Sequence, residues 1–167
     1  MALLALMKIS GANGESRYPS PYDTWIELQS WDWGVKAETS WTKGGGASVG
    51  KPNPGEMNWE HYYDKSSPTI LKFICSGAMF DTVEMKMFKT TGASQITQDG
   101  TTFFHMIMNG VFITSVDNKA SDEGNIVQTV QMVFKDVEIV YRPQDNKKGT
   151  LLGAVPFKWD IPGGKVS

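Results

Sequence analysis

The stretch Thr82-Val83-Glu84-Met85-Lys86-Met87-Phe88 sets the fold class. Val83, Met85 and Met87 alternate with Glu84 and Lys86. That period of two buries one face of a β-strand and leaves the other in water. Working outward, similar signals recur at short spacing. Met1–Ser10 reads as a first strand, closed by Gly11-Ala12-Asn13-Gly14, and Trp25–Val35 as a second. Phe103–Val116 is rich in β-branched and aromatic residues, with Asn109-Gly110 a candidate break or turn inside it. Ile126–Tyr141 is long, and Leu152–Ile161 closes the chain. Many strands separated by turn residues predict a mainly β chain, folded as a barrel or sandwich.

Two of these strands change phase. In the second, Ile26 and Leu28 share a face, whereas Trp31 and Trp33 have the opposite parity. In the long strand, Val130, Met132 and Phe134 are even and Val137, Ile139 and Tyr141 are odd. Strict alternation cannot bury both sets on one face. A bulge or corner near Gln29–Ser30, and another near Lys135–Asp136, resolves the conflict.

A single helix is expected at about Pro68–Ser76. Ser66 or Ser67 offers an N-cap hydroxyl, Pro68 suits the first helical position, and Gly77 suits a left-handed C-cap. Ile70, Leu71, Ile74 and Cys75 would form its apolar stripe. Thr42–Gly55, with three consecutive glycines and two prolines, reads as a long excursion from the sheet, an arm or hairpin extension.

At 167 residues the chain suits one domain of the ~100–200 residue class and can bury a core without staples. Its net charge of −2 argues against a strong nucleic-acid footprint. One cysteine, Cys75, excludes an intramolecular disulfide and a multi-cysteine zinc site within one chain, and reads as a buried core thiol. The apolar N-terminus is short and interrupted by Lys8, with no charged segment before it, so it reads as a strand and not as a signal peptide. No stretch approaches the ~20 apolar residues of a membrane span.

Gly45-Gly46-Ala47-Ser48-Val49-Gly50-Lys51 imitates a phosphate-binding loop up to its lysine. Pro52 then stands where Ser or Thr should ligate magnesium and open a helix, which argues against nucleotide binding. His61 and His105 belong to no metal or triad pattern and read as structural or surface residues. Of the six tryptophans, Trp31, Trp33 and Trp159 read as core, while Trp25, Trp41 and Trp59 flank loops.

The ordered set Trp31-Asp32-Trp33-Gly34, Gly44-Gly45-Gly46, Asp64-Lys65-Ser66-Ser67-Pro68, Cys75-Ser76-Gly77, Tyr141-Arg142-Pro143-Gln144-Asp145 and Phe157-Lys158-Trp159-Asp160-Ile161 resembles the Hcp family of bacterial type VI secretion, over roughly Ala2–Ile161. The resemblance implies a closed antiparallel β-barrel with one short α-helix at its side, in a single domain of residues 1–161 followed by a tail of 162–167. It implies hexameric rings stacked into an inner tube, with sheath, spike and baseplate proteins as partners and small effector proteins in the lumen. It also implies export from the bacterial cytoplasm without an N-terminal signal, with no catalytic residue, metal, cofactor, nucleic acid or membrane insertion. Lys43, Gly44, Gly45, Gly46, Ala47, Ser48, Val49, Gly50 and Lys51 correspond to the family's extended loop and become candidate inter-subunit residues. Asp32 becomes a candidate lumen residue, and with Tyr18-Pro19-Ser20-Pro21-Tyr22 it marks a departure from the family pattern. Two other readings are a monomeric carbohydrate-binding module that uses exposed tryptophans, and a hydrolase that uses His61 or His105.

Overall fold

The structure is a computed structural model that describes residues 4–42, 45–89, 102–145, 147 and 151–167. Among these the chain is mainly β with one α-helix. The strands are β1 (Ala5–Ile9), β2 (Ile26–Leu28), β3 (Ser30–Asp32), β4 (Val35–Thr42), β5 (Gly46–Pro54) and β6 (Met57–Tyr62). After helix α1 (Ser67–Ser76) come β7 (Met79–Phe88), β8 (Thr102–Ala120), β9 (Ile126–Val133), β10 (Asp136–Tyr141), β11 (Val155–Asp160) and β12 (Lys165–Val166). Every ladder is antiparallel. β1 lies between β2 and β7, and β7 pairs with the first part of β8. β8 continues to β9, β9 to β6, and β6 to β3. β10, β11 and β12 extend from the first part of β8.

Both phase changes are partner changes. β2 ends at Leu28, and the Gln29 N–H donates to the Glu60 carbonyl at 2.7 Å as the chain leaves β1 and joins β6. Ile26 and Leu28 are buried on one side of this switch, and Trp31 packs on the same core from the other. The long strand Ile126–Tyr141 breaks at Phe134–Lys135, where β8 exchanges β9 for β10. Gly110 sits opposite that corner with φ +63°, and a Cβ there would lie 2.8 Å from the Lys135 side chain. Asn109-Gly110 therefore does not turn β8, which runs unbroken from Thr102 to Ala120. It lets the neighbouring chain turn against β8, with the Lys135 N–H held by the Asn109 carbonyl at 3.0 Å.

The core is unusually rich in methionine. Met7, Met57, Met85, Met106, Met108 and Met132 are all fully buried, around Trp59, Ile70 and Phe80. Flexible thioethers fill the irregular space that a strongly curved sheet encloses. β1 is buried on both sides. Ala5, Met7 and Ile9 face this core, whereas Leu6 faces a second cluster with Tyr22, Trp25 and Phe88. Tyr22 meets Trp25 and Phe88 edge-on at 5.1 and 5.0 Å. This explains the continuous apolar run at the N-terminus, and it gives Tyr18–Tyr22 a structural task as the cover over Leu6. Residues 1–3 of the expected first strand lie outside the described residues.

The helix ends as expected and begins differently. Gly77 closes α1 with φ +69°. At the start, Ser66 makes no side-chain cap. Asp64 takes that part instead: its Oδ1 accepts from the Ser66 N–H at 2.8 Å and from the Ser66 hydroxyl, while Ser67 Oγ accepts from the Asp64 N–H at 3.0 Å. The apolar stripe is also rotated. Ile70, Phe73 and Ile74 face the sheet, and Phe73 stacks on Phe80 with centroids 3.9 Å apart and planes at 7°. Centring the face on 70, 73 and 74 turns residues 71 and 75 outward at 100° per residue. Leu71 and Cys75 are accordingly exposed, which corrects the reading of Cys75 as a core thiol. At the other end, residues 162–167 fold back: β12 pairs Lys165 with Asp160 and Val166 with Trp159.

Candidate assembly surface

Among the described residues, β4 and β5 form a two-stranded hairpin with no other strand partner. Its register shifts between Ala37 and Thr39, placing extra β5 backbone opposite Glu38, where Gly50 approaches closely. Ser40 and Ser48 hydroxyls bond across it. At its base the Gly55 N–H donates to the Gly34 carbonyl at 2.8 Å, and Trp33 Nε1 donates to the Gly55 carbonyl at 3.1 Å. The base is thus fixed to the sheet, with Trp33 tilted on Phe134 at 5.5 Å.

Beyond the base, every residue of β5 is exposed, with Val49 71% accessible. Gly46, Ala47, Ser48, Val49, Gly50 and Lys51 all belong to this strand, and Gly45 to the turn before it. Lys43 and Gly44 lie outside the described residues. The phosphate-loop imitation is dissolved by the same geometry. Lys51 stands in an extended strand, with no helix N-terminus behind it to present amides to a phosphate.

Asp32 is exposed at the end of β3, paired with Asn58, whose Nδ2 donates to Asp32 Oδ1 at 2.9 Å. Trp31, its neighbour, is paired with buried Trp59 and stacks on Phe104 at 5.4 Å, so Asp32 takes the face opposite the core. It lines an open cleft of about 790 Å³ between the sheet and the hairpin base, together with Lys36, Glu38 and Glu56. Carboxylates outnumber cations among these four.

The two histidines are both held by their surroundings. His61 is fully buried, the last member of the inward row Met57, Trp59, His61. Gln128 spends its amide NH2 on Asn118 Oδ1 at 3.0 Å and the Ser67 carbonyl at 3.4 Å, so its Oε1 accepts from His61 Nε2 at 2.8 Å. His61 is therefore the Nε2–H tautomer, and its Nδ1 has no hydrogen-bond partner. Burial pushes its pKa below the ordinary histidine value, against the opposing effects of Gln128 and of Asp64, 3.9 Å away. The unprotonated His61 Nδ1 is shut off from solvent by the full burial of the ring. His105 is half-buried, with Nε2 2.6 Å from Glu84 Oε1. That hydrogen bond holds the Glu84 carboxyl below its usual range, against the effect of burial.

Trp25, Trp59 and Trp159 are buried, and Trp31 and Trp33 are half-buried against the core. Trp25 and Trp59, read from the sequence as loop-flanking, are thus core residues, which takes them away from the carbohydrate-binding reading. Sequence reasoning missed the Gln128–Asn118 network because nothing local marks two polar residues that meet only through strand pairing. It missed the acidic cleft for the same reason.

These features define a class: a mainly β domain with one side helix and a hairpin that pairs with no other described strand. Residues 6–141 match the family described as "Type VI secretion system effector, Hcp". The chain belongs to this family, whose members are secreted tube proteins of the type VI apparatus. It is 26% identical over 162 residues to protein hcp1 of Pseudomonas aeruginosa, covering 96% of each chain. Its fold resembles a solved type six secretion system protein, with TM-score 0.86 and 22% identity over 99% of this chain and all of the other. It also resembles the crystal structure of Hcp1 from Salmonella typhimurium, with TM-score 0.74 and 21% identity over the full length of both.

Proposed function

We propose that six copies of this chain close into a ring and that rings stack into the inner tube of a type VI apparatus. The observation that carries this reading is the hairpin. Residues Gly46–Pro54 are exposed throughout and, among the described residues, make their ladder only with β4. A lone two-stranded hairpin is marginal in water, because ordering each residue costs about 1–2 kcal/mol of backbone entropy. Contacts on a neighbouring copy supply the missing burial. A ring needs two different complementary surfaces on each subunit, and a projecting arm with a separate receiving face meets that requirement.

Within the subunit we infer a closed barrel, a single domain whose circuit runs β1, β7, β8, β9, β6 and then β3. β3 leads back through Gln29 to β2, beside β1. Its helix sits at the side. In the ring, Lys43–Lys51 makes inter-subunit contacts and Asp32 faces the lumen, where small effector proteins are carried. The assembled tube meets the sheath, spike and baseplate proteins of its apparatus. It waits in the bacterial cytoplasm and is exported from there. The protein acts as conduit and carrier, and no residue performs covalent chemistry.

Light scattering at micromolar concentration tests the ring. A mass of about six chains of 18.5 kDa supports it, and a monomer at every concentration overturns it.

A further inference from the structure

The turn from β6 into α1, residues 64–67, rests on a network of side chains from three strands. Gln128 on β9 donates to the Ser67 carbonyl at 3.4 Å and to Asn118 Oδ1 on β8 at 3.0 Å, and accepts from His61 Nε2 on β6 at 2.8 Å. The His61 ring is fully buried, and its second nitrogen, Nδ1, lies 3.9 Å from Asp64 Oδ2. In the neutral ring both of these atoms are acceptors, and neither can donate to the other. The other oxygen of the same carboxylate, Asp64 Oδ1, accepts from the Ser66 N–H at 2.8 Å and from the Ser66 hydroxyl. One carboxylate thus holds the start of the helix with one oxygen and approaches a core histidine with the other.

A proton on Nδ1 reverses the sign of this contact. The ring then donates at both nitrogens and carries a positive charge. The Asp64 side chain is only 13% exposed, so solvent ions screen the pair weakly. A charge-assisted N–H···O bond closes to about 2.7–2.9 Å, about 1 Å less than the present 3.9 Å. Nε2 keeps its hydrogen and its bond to Gln128 in both protonation states, so the ring stays and the Asp64 side moves. Other charged groups near the turn face elsewhere. Glu60 and Tyr62 on β6, and Asp117 and Lys119 on β8, alternate with the inward His61 and Asn118 and take the outer face. Glu15 and Lys65 are exposed above the turn, where Glu15 Oε1 accepts from the Lys65 N–H at 3.0 Å.

We propose that His61 and Asp64 form an acid latch: protonation of the buried ring draws Asp64 onto Nδ1 and pulls the first turn of α1 toward β6. Burial opposes the proton and Asp64 favours it, and burial is the larger effect, so the latch closes below the ordinary histidine range. The device lies within one chain, apart from the hairpin and from Asp32, and is independent of the assembly reading.

Magnetic resonance of the full chain, with carbon-labelled histidine Cε1, tests the latch. The chain holds only two histidines, so two signals arise, and His61→Gln assigns them. As pH is lowered from neutral, the His61 signal should move to its imidazolium position while the sheet stays folded. Asp64→Asn keeps an oxygen to cap Ser66, but it loses the charge and can donate to the neutral ring. It should therefore lower the proton affinity of His61 by about tenfold or more, with His105 on the outer face as the internal control. Hydrogen exchange, corrected for its intrinsic pH dependence, reads the movement. The Ser66 amide, held by Asp64, and the Ile70 amide, which donates to the Ser66 carbonyl at 3.0 Å, should gain protection in step with the His61 signal. They should not do so in Asp64→Asn or His61→Gln. Equal His61 midpoints in the parent and Asp64→Asn overturn the proposal, and so does first-turn protection that ignores the titration. Unfolding of the parent with His61 still neutral also overturns it, because the latch would then never close in the folded chain.

Discussion

At the scale of single residues, His61 shows how burial becomes a pH dependence. Its environment holds the folded-state pKa below the ordinary value, mainly by desolvation. The unfolded chain takes the proton near pH ~6.5. Between that point and the lower folded value the unfolded state binds more protons, so stability falls as pH falls, and the contribution is complete above pH ~6.5. The slope for one proton cannot exceed about 1.4 kcal/mol per pH unit. Denaturant midpoints should therefore drop from about pH 7.5 to about pH 5.5 in the parent, and drop less in His61→Gln, which keeps a partner for Gln128 but cannot titrate there. Equal drops in both proteins would place the pH dependence elsewhere. The sequence shows a histidine of ordinary surroundings, flanked by Glu60 and Tyr62. That it is buried follows from the inward row of β6, that burial keeps it unprotonated follows from desolvation, and its tautomer follows from Gln128, a residue sixty-seven positions away. Cys75 carries the converse lesson. Its type favours burial, yet the helix turns about the Ile70–Phe73–Ile74 face and leaves it outside. Composition cannot fix that rotation, because the choice belongs to the Phe73–Phe80 stack.

At the scale of elements, the two ends of α1 differ in how far they are written locally. Gly77 is legible because only a residue without Cβ takes φ +69° at low cost, and a Cβ added there would meet nothing within 4 Å. Gly77→Ala should therefore cost about 1–2 kcal/mol from backbone strain alone, read as a lower denaturant midpoint with an unchanged slope. No loss would mean that the C-cap relaxes to another conformation. Phe73→Ala removes the ring that anchors the helix and should cost about 3–5 kcal/mol. A loss below about 1 kcal/mol would show that the helix docks through Ile70 without it. The corners at Gln29 and at Phe134–Lys135 were legible for a different reason: parity is exact, so a face conflict must end in a bulge or a change of partner. Asn109-Gly110 misleads because the dipeptide signals a positive φ without saying which chain turns. Here β8 continues as one strand through Gly110, at φ +63°, and the β9–β10 chain turns beside it. The hairpin was legible as an excursion from its glycines and prolines, but its strand character was not, since an exposed two-stranded ladder has no apolar alternation. Replacing Lys43–Lys51 with a short turn should leave the melting of the β domain intact and weaken rings or their stacking, visible in sedimentation. Unchanged assembly would remove the arm from the interface.

At the scale of the whole molecule, a rotational ring multiplies every surface charge into a belt. Asp32 is exposed, opposite the core face of β3, and shares its cleft with Glu38 and Glu56. With Asp32 on the inner wall, six copies put an acidic belt around the channel, which attracts basic cargo and repels acidic cargo. The interaction spans nanometre distances through water, so it weakens as salt rises past the point where the Debye length is about 8 Å. Such a belt would set selectivity and not folding. An exposed carboxylate with a single hydrogen bond to Asn58 is worth within about 0.5 kcal/mol, so Asp32→Ser should leave ring mass and melting unchanged. Asp32→Lys reverses the sign of that position in every copy, and repulsion rejects a partner more sharply than lost attraction does. At equal ring content and low salt, Asp32→Lys rings should lose basic effectors from pull-downs that parent rings retain, and the difference should shrink in high salt. An identical cargo set at both salt concentrations would put Asp32 on the outer wall and leave the lumen's selectivity to other residues.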